Sequence, residues 1–148
     1  EIKECDWSSD VCSSDLIDAA RHCKGALVAR RALAFADPRS ESVGESVSRV
    51  VLAQLGLPAP VLQFEVFHQG VWIARTDFAW PGHRLIGEFD GRIKYLGTSA
   101  EVADTVMREK RRQQALEDAG WTVVRWTWPD LKTPATLRSR LAPYLRTL

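Results

Sequence analysis

The sequence predicts an α/β (α+β) domain whose elements run αβββαβ, followed by a C-terminal helix. Three observations predict it. Apolar residues recur near a 3.6-residue period between 40 and 56. Three β-branched and aromatic runs follow one another between 61 and 90, separated by short turn signals. A capped, strongly basic helical stretch near 98–119 then leads into the strand-like "WTVVRW" at 121–126.

The chain begins with a segment of a different character. "CDWSSDVCSSDL" (5–16) repeats one phrase, Trp7 to Asp10 and Cys12 to Asp15, and sets two cysteines seven residues apart. That spacing, with only His22 and Cys23 nearby, makes a poor zinc site, because structural zinc takes four convergent nitrogen or sulfur ligands. Asp6 to Leu16 is what one frame of a common sequencing-library adapter encodes, and residues 1–16 are read as translated adapter joined to the gene near Ile17. Three parts follow: 1–16 as disordered artefact, 17–39 as the helical remnant of a missing N-terminal region, and 40–148 as the functional domain.

Setting 1–16 aside removes five acids and one base, leaving 19 Lys and Arg against 14 Asp and Glu, so the net charge rises from +1 to +5. A basic balance permits nucleic-acid binding without demonstrating it. Cys23 is then the one authentic cysteine, which suits a reducing, cytoplasmic setting. No apolar run approaches the ~18 residues of a membrane span.

Ile17 to Ala36 is rich in Ala, Leu and Arg and leans helical until Asp37-Pro38 breaks it. In "SESVGESVSRVVLAQLGLPAP" the periodic positions are Val43, Val47, Val50, Val51 and Leu55, with Gly56 and Pro58 as stop signals. Glu45 lies on this helix, one turn before Arg49. "VLQFEVF" (61–67) and "VWIARTDFAW" (71–80) are strands around the turn "HQG". Alternation puts Ile73, Arg75 and Asp77 on one face of the second strand. After Pro81-Gly82, "HRLIGEFD" (83–90) puts Ile86, Glu88 and Asp90 on one side. Thr98 to Glu101 fits a capping box for a helix ending at Gly120, with Val102, Val106, Ala115 and Leu116 as its apolar stripe. Pro129 opens the last helical segment.

The chemistry concentrates in "RTDFAWPGHRLIGEFDGRIKY". Across a hairpin turning at Pro81-Gly82, Asp77 and Glu88 lie close to opposite one another. Two facing carboxylates repel and are costly to bury, so a divalent cation would ease the pair. Asp90 adds an acid on the face of Glu88, and Lys94 a cation. Oxygen donors of this kind suit Mg²⁺ (or Mn²⁺), and the reaction they permit is phosphodiester hydrolysis.

At these residues the chain resembles the PD-(D/E)XK nuclease superfamily. It is most similar to the very-short-patch-repair-like branch, whose small endonuclease-like domains stand at the C-terminus of actinobacterial proteins with an AbiEi-antitoxin-like or regulator-like N-terminal part. The phrases that carry the likeness are "ESVSRVVLAQLGLPAP", "RTDFAWP", "GEFDGRIKY", "REKRRQQALEDAGW" and "VVRWTWPDL", from about Ser40 to Leu131. The resemblance implies a restriction-endonuclease-like core with a mixed central sheet flanked by helices. It also implies DNA as the partner, Glu45 as the helix acid, and Asp77 and Glu88 as metal ligands. The superfamily's lysine falls two residues after the second acid, where this chain has Asp90. Lys94 then stands in for that lysine, or Asp90 becomes a further metal carboxylate.

Each residue also has a plainer reading. Asp77 and Glu88 suit solvated strand ends, and Asp90-Gly91 is equally a turn signal. Glu45 suits an i,i+4 pair with Arg49. Arg108, Lys110, Arg111 and Arg112 suit a solvated helix face or, with Arg125, a phosphate-binding surface. Gln63, on the first strand, either orients a water or faces solvent. Trp121, Trp126 and Trp128 read as core or rim packing. His83, flanking the turn, reads as a surface residue.

Overall fold

The computed structural model describes residues 15, 16, 19, 21–91 and 99–145, with the side chains of 99–103 left aside. The adapter reading therefore falls, except for Asp15 and Leu16, outside the described residues, as do Lys94 and Thr98. The chain divides into two units, one ending at Pro38 and the other running from Arg39. In the first unit, α1 (Ala26–Phe35) starts after Gly25 in the left-handed region and buries none of its residues.

The second unit is a mixed four-stranded sheet with helices on both faces. Its elements are α2 (Val43–Gln54), β1 (Val61–His68), β2 (Val71–Trp80), a 3₁₀ turn (Pro81–His83), β3 (Leu85–Phe89), α3 (Ser99–Asp118), β4 (Thr122–Trp126), α4 (Trp128–Lys132) and α5 (Pro134–Leu141). The strands lie in the order β1-β2-β3-β4. The first three are antiparallel neighbours, and β4 joins β3 in parallel. A parallel neighbour needs a long crossover, and the span between β3 and β4 that contains α3 supplies it. The expected fold class is thus present, with two short C-terminal helices in place of one because Pro134 starts a new helix. No helix among the described residues is long and apolar enough to cross a membrane.

Local chemistry explains each join. Gln69 and Gly70 both take positive φ between the paired His68 and Val71, the two-residue hairpin geometry that matches strand twist. Ser42 caps α2 by accepting the Glu45 N–H at 3.1 Å. The expected strand over 83–90 shortens to 85–89, because Arg84 adopts a left-handed conformation that closes the 3₁₀ turn.

Two apolar clusters hold the sheet. One gathers Leu52, Phe78, Trp80, Leu85, Trp126, Leu131, Leu137 and Leu141 beneath α2, α4 and α5. The other joins Val66, Ala74, Ile86 and Trp121 to Leu116 of α3. The three tryptophans expected to pack do so: Trp121 meets Phe64 at 5.6 Å, Trp126 meets Phe78 at 5.2 Å, and Trp128 stands edge-on to Phe89 at 5.0 Å.

Two expected stripes are shifted. On α2 the buried face is Gly44, Glu45, Ser48, Val51 and Leu52, while Val43 is 72% exposed and Val47 and Val50 face outward. Small residues win this face because bulk already fills it. A Cβ on Gly44 would overlap the Phe89 ring. Ser48 bridges the Gly44 carbonyl (2.6 Å) and the buried Trp126 indole N–H (2.8 Å). On α3, Leu116 is buried as expected, but Val106 is 50% exposed.

Gly87 is a sharper instance of the same constraint. A Cβ there would run into the buried Trp126 ring, whereas one on Gly82 would meet nothing. Gly87→Ala is expected to lower unfolding free energy by about 1–3 kcal/mol in denaturant titrations, as overpacking does. Gly82→Ala is expected to stay within about 0.5 kcal/mol of the parent.

Candidate functional site

The candidate site forms where the sheet stops being regular. The β2–β3 ladder runs Trp80↔Leu85, Ala79↔Ile86, Phe78↔Gly87. One step further along the same register, Asp77 comes opposite Glu88. There the Asp77 carboxylate takes over a backbone role, its Oδ2 accepting the Phe89 N–H at 2.9 Å. On its other side Asp77 faces Gln63, which lies between the paired residues Leu62 and Phe64 but has φ 50°. A left-handed conformation at a non-glycine residue costs about 1–2 kcal/mol. Asp77 therefore sits between two departures from ideal pairing, and strain of this kind concentrates at functional positions.

Glu45 is 8% exposed and arrives from α2. Its Oε2 accepts from the Gln63 side-chain amide at 3.0 Å and from the Glu41 N–H at 2.9 Å. The helix acid thus looks toward the sheet defect and is held there by Gln63. The packing of Gly44 on Phe89 sets this orientation, since α2 approaches the sheet closely at that point.

Glu88 is also 8% exposed, and both its carboxylate oxygens are engaged. Oε1 pairs with Arg112, and Oε2 accepts from Arg125 Nε at 2.9 Å. Arg125 also pairs with Glu109 and donates to the Gln113 carbonyl at 2.7 Å. Arg112 reaches Glu109 at 3.1 Å and the Arg75 carbonyl at 3.3 Å. Burial works against the Arg112 charge, but the hydrogen bonds and charges of Glu88 and Glu109 hold its pKa above the usual value.

Burial pushes the Asp77 carboxyl up from 3.8 to about 6; the Phe89 N–H pulls it down, Glu45 and Glu88 push it further up, and Arg112 opposes them. The electrostatics therefore join Glu45, Asp77 and Glu88 into one acidic neighbourhood. A cleft of about 290 Å³ opens above it, lined by Asp77, Glu88, Phe89, Asp90, Glu109, Arg112 and Arg125.

The structure brings together Gln63, Glu45, Asp77, Glu88, Arg112 and Arg125 from the sequence-derived set. Asp90 is exposed just past β3 and lines the same cleft; its N–H donates to the Trp126 carbonyl at 2.8 Å. Among the described residues no group of three or more His, Cys, Asp or Glu side chains is close enough to hold a metal ion, so Asp77, Glu88 and Asp90 are not gathered into one ligand set. Lys94 lies outside the described residues. Lys110 and Arg111 are exposed on α3, and Arg108 pairs with Asp104 at 3.3 Å on its surface. Glu45 bonds with Gln63 and Glu41 at the sheet, and Arg112 and Arg125 reach inward to carboxylates. Sequence reasoning missed Glu109 and Gln113. Their signal was present as helical spacing from Glu109, which stands three residues before Arg112 and four before Gln113, since residues three or four apart on a helix share a face.

A central mixed sheet flanked by helices loosely resembles restriction-endonuclease-like folds. The chain is 38% identical over 123 residues to two Mycobacterium tuberculosis proteins. They are the uncharacterized protein MT2308 of strain CDC 1551 / Oshkosh and the uncharacterized protein Rv2248 of strain ATCC 25618 / H37Rv. Each match covers 82% of this chain and 44% of the relative, so the chain spans less than half the length of these relatives. No family model and no solved structure matches it.

The raised Asp77 pKa makes a signed prediction. A carboxyl with a higher pKa folded than unfolded stabilises the fold below about pH 4, and that contribution is lost as pH rises through about 6. Asp77→Asn keeps an acceptor for Phe89 and discards the charge. At pH 7.5 it is expected to be more stable than the parent by on the order of 1 kcal/mol, after allowance for partial exposure. At pH 4 thermal melts of the two proteins are expected to coincide.

Proposed function

We propose that residues 40–148 form a metal-dependent DNA endonuclease-like domain that hydrolyses phosphodiester bonds in the Asp77–Glu88 cleft. The observation that carries this reading is that Asp77 and Glu88 line one cleft at the end of the β2–β3 ladder, with the charges of Glu45 and Glu88 acting on Asp77. The donor chemistry fits Mg²⁺ or Mn²⁺, which take one or two protein carboxylates and complete their shell with water and phosphate oxygens. Asp77 and Glu88 are the residues that would hold the ion, with Asp90 on the rim of the cleft, outside that pair. When bound, the ion would polarise the phosphoryl oxygen and lower the pKa of the attacking water.

The chain's own groups then have separable tasks. Gln63 donates to Glu45 at 3.0 Å and fixes the carboxylate whose charge acts on Asp77. Glu45 keeps Asp77 electron-rich and in need of positive charge. Arg112 and Arg125 place two guanidiniums beside the cleft, where planar donors suit phosphate oxygens. The exposed Arg108, Lys110 and Arg111 on α3 extend positive charge along the surface for the DNA backbone. Lys94 is proposed to contribute a further cation. The setting we propose is cytoplasmic: defence, repair or a toxin–antitoxin pair.

Purified protein is expected to nick or cleave duplex, single-stranded or mismatched DNA with Mg²⁺ or Mn²⁺. Asp77→Ala and Glu88→Ala are each expected to lower the rate at least about a hundredfold, as loss of an electrostatic catalytic group does. Absence of metal-stimulated cleavage on all three substrates would overturn the reading.

A second reading has its own support. Asp90 occupies the superfamily's lysine position, and both Glu88 oxygens already hold guanidiniums. These features favour a catalytically inactive nuclease fold that binds DNA or protein on behalf of a regulator. A salt-steep DNA affinity that persists in EDTA and in Asp77→Ala would favour it over hydrolysis.

A further inference from the structure

The Glu88 carboxylate is the most buried acid lining the cleft, and its two oxygens are both already paired. Arg112 and Arg125 occupy its two oxygens from opposite elements, α3 and β4. Their other contacts differ in a way that decides which of them can leave. Arg125 keeps Glu109 and a 2.7 Å hydrogen bond to Gln113 if Glu88 is withdrawn. Arg112 keeps a 3.1 Å contact with Glu109 and a 3.3 Å one with the Arg75 carbonyl. Both remaining Arg112 contacts sit at the long end of hydrogen-bonding distance. Arg112 is therefore held mainly by Glu88, whereas Arg125 is a fixed part of the wall. Glu109 links the two, since a single oxygen, Oε1, faces both guanidiniums.

Resting on the hydrolase reading above, we infer that Arg112 is a displaceable internal counter-cation: it competes with a divalent ion for Glu88 and, once released, turns to the substrate phosphate. A guanidinium and a divalent ion cannot both sit on one face of a buried carboxylate without strong repulsion. Entry of the ion at Asp77 and Glu88 therefore drives Arg112 off. The long guanidinium side chain, anchored by Glu109, stays beside the cleft, where its planar donors match a phosphate. Arg112 thus suppresses metal loading in the absence of DNA and couples loading to the arrival of a phosphate.

The test is Mn²⁺ affinity, read from the electron-spin-resonance signal of free Mn²⁺ and by calorimetry without DNA, in the parent, Arg112→Met, Arg112→Lys and Arg108→Met. Arg112→Met is expected to tighten Mn²⁺ binding about tenfold or more, equivalent to about 1.4 kcal/mol. Arg108→Met removes the same charge from the exposed surface of the same helix and is expected to change affinity less than about twofold. Arg112→Lys, which keeps the charge but lacks the planar fork that gives Glu88 and Glu109 separate nitrogens, is expected to fall between. It decides the matter if the Met variant does not fold. With Ca²⁺ in place of Mn²⁺, Arg112→Met is also expected to bind a duplex more weakly than the parent. A parent that binds Mn²⁺ while Arg112→Met binds it equally or less tightly would overturn the displacement and leave the hydrolase reading standing. Failure of every variant to bind Mn²⁺ would overturn both.

Discussion

Asp77 and Glu88 approach one another across β2 and β3 in a setting only partly open to water, with Glu45 adding its charge from α2. In water such charges would trouble one another by about 1 kcal/mol; at the lower effective dielectric of a protein the repulsion is several times larger. Much of the surrounding architecture can be understood as compensation. The Phe89 N–H caps one carboxylate, two guanidiniums neutralise another, and Gln63 and a backbone amide hold the third. At Asp77 compensation is incomplete: burial first, and then the charges of Glu45 and Glu88, push its pKa up to about 6 against the pull of the Phe89 N–H and Arg112.

The rest of the domain keeps those acids from drifting apart. Trp126 is fully buried, its indole N–H bound to Ser48 and its ring against Gly87, so α2 and β3 are registered on the same side chain. Phe89 does the same at the other end, under Gly44 and beside Trp128. The helix acid and the strand acids are thus positioned by two aromatic anchors with glycine opposite each. Sites built on strands and helices in this way hold their geometry more tightly than sites on loops. The sheet defect at Gln63 and Asp77 is tolerated because Leu62 and Phe78, its immediate neighbours, are buried in the main cluster.

Element order, the hairpin at Gln69-Gly70 and the meeting of Asp77 and Glu88 in one cleft were legible in the sequence, because each depends on short-range chemistry: turn residues, strand alternation and hairpin length. The buried face of α2 was legible only in part. Periodicity pointed rightly to Val51 and Leu55 but also to Val43, Val47 and Val50; the sheet side of that helix is crowded by Phe89 and Trp126, so Gly44 and Ser48 share it. The fate of Arg112 and Arg125 was also hidden. A basic run on a helix reads as an outward face, and nothing local reveals that a buried carboxylate on β3 waits for one of its members, Arg112, together with Arg125 of β4. The role of Glu109 depends on that same long-range meeting and was lost with it.

The opposed carboxylates and their need for positive charge are most directly tested by anomalous diffraction from crystals grown with Mn²⁺. The account predicts a single strong peak within coordination distance of the Asp77 and Glu88 carboxylates, with the Arg112 guanidinium moved off Glu88 and Arg125 still bonded to Glu109. No peak in the cleft, with Arg112 and Arg125 both still seated on Glu88, would contradict it.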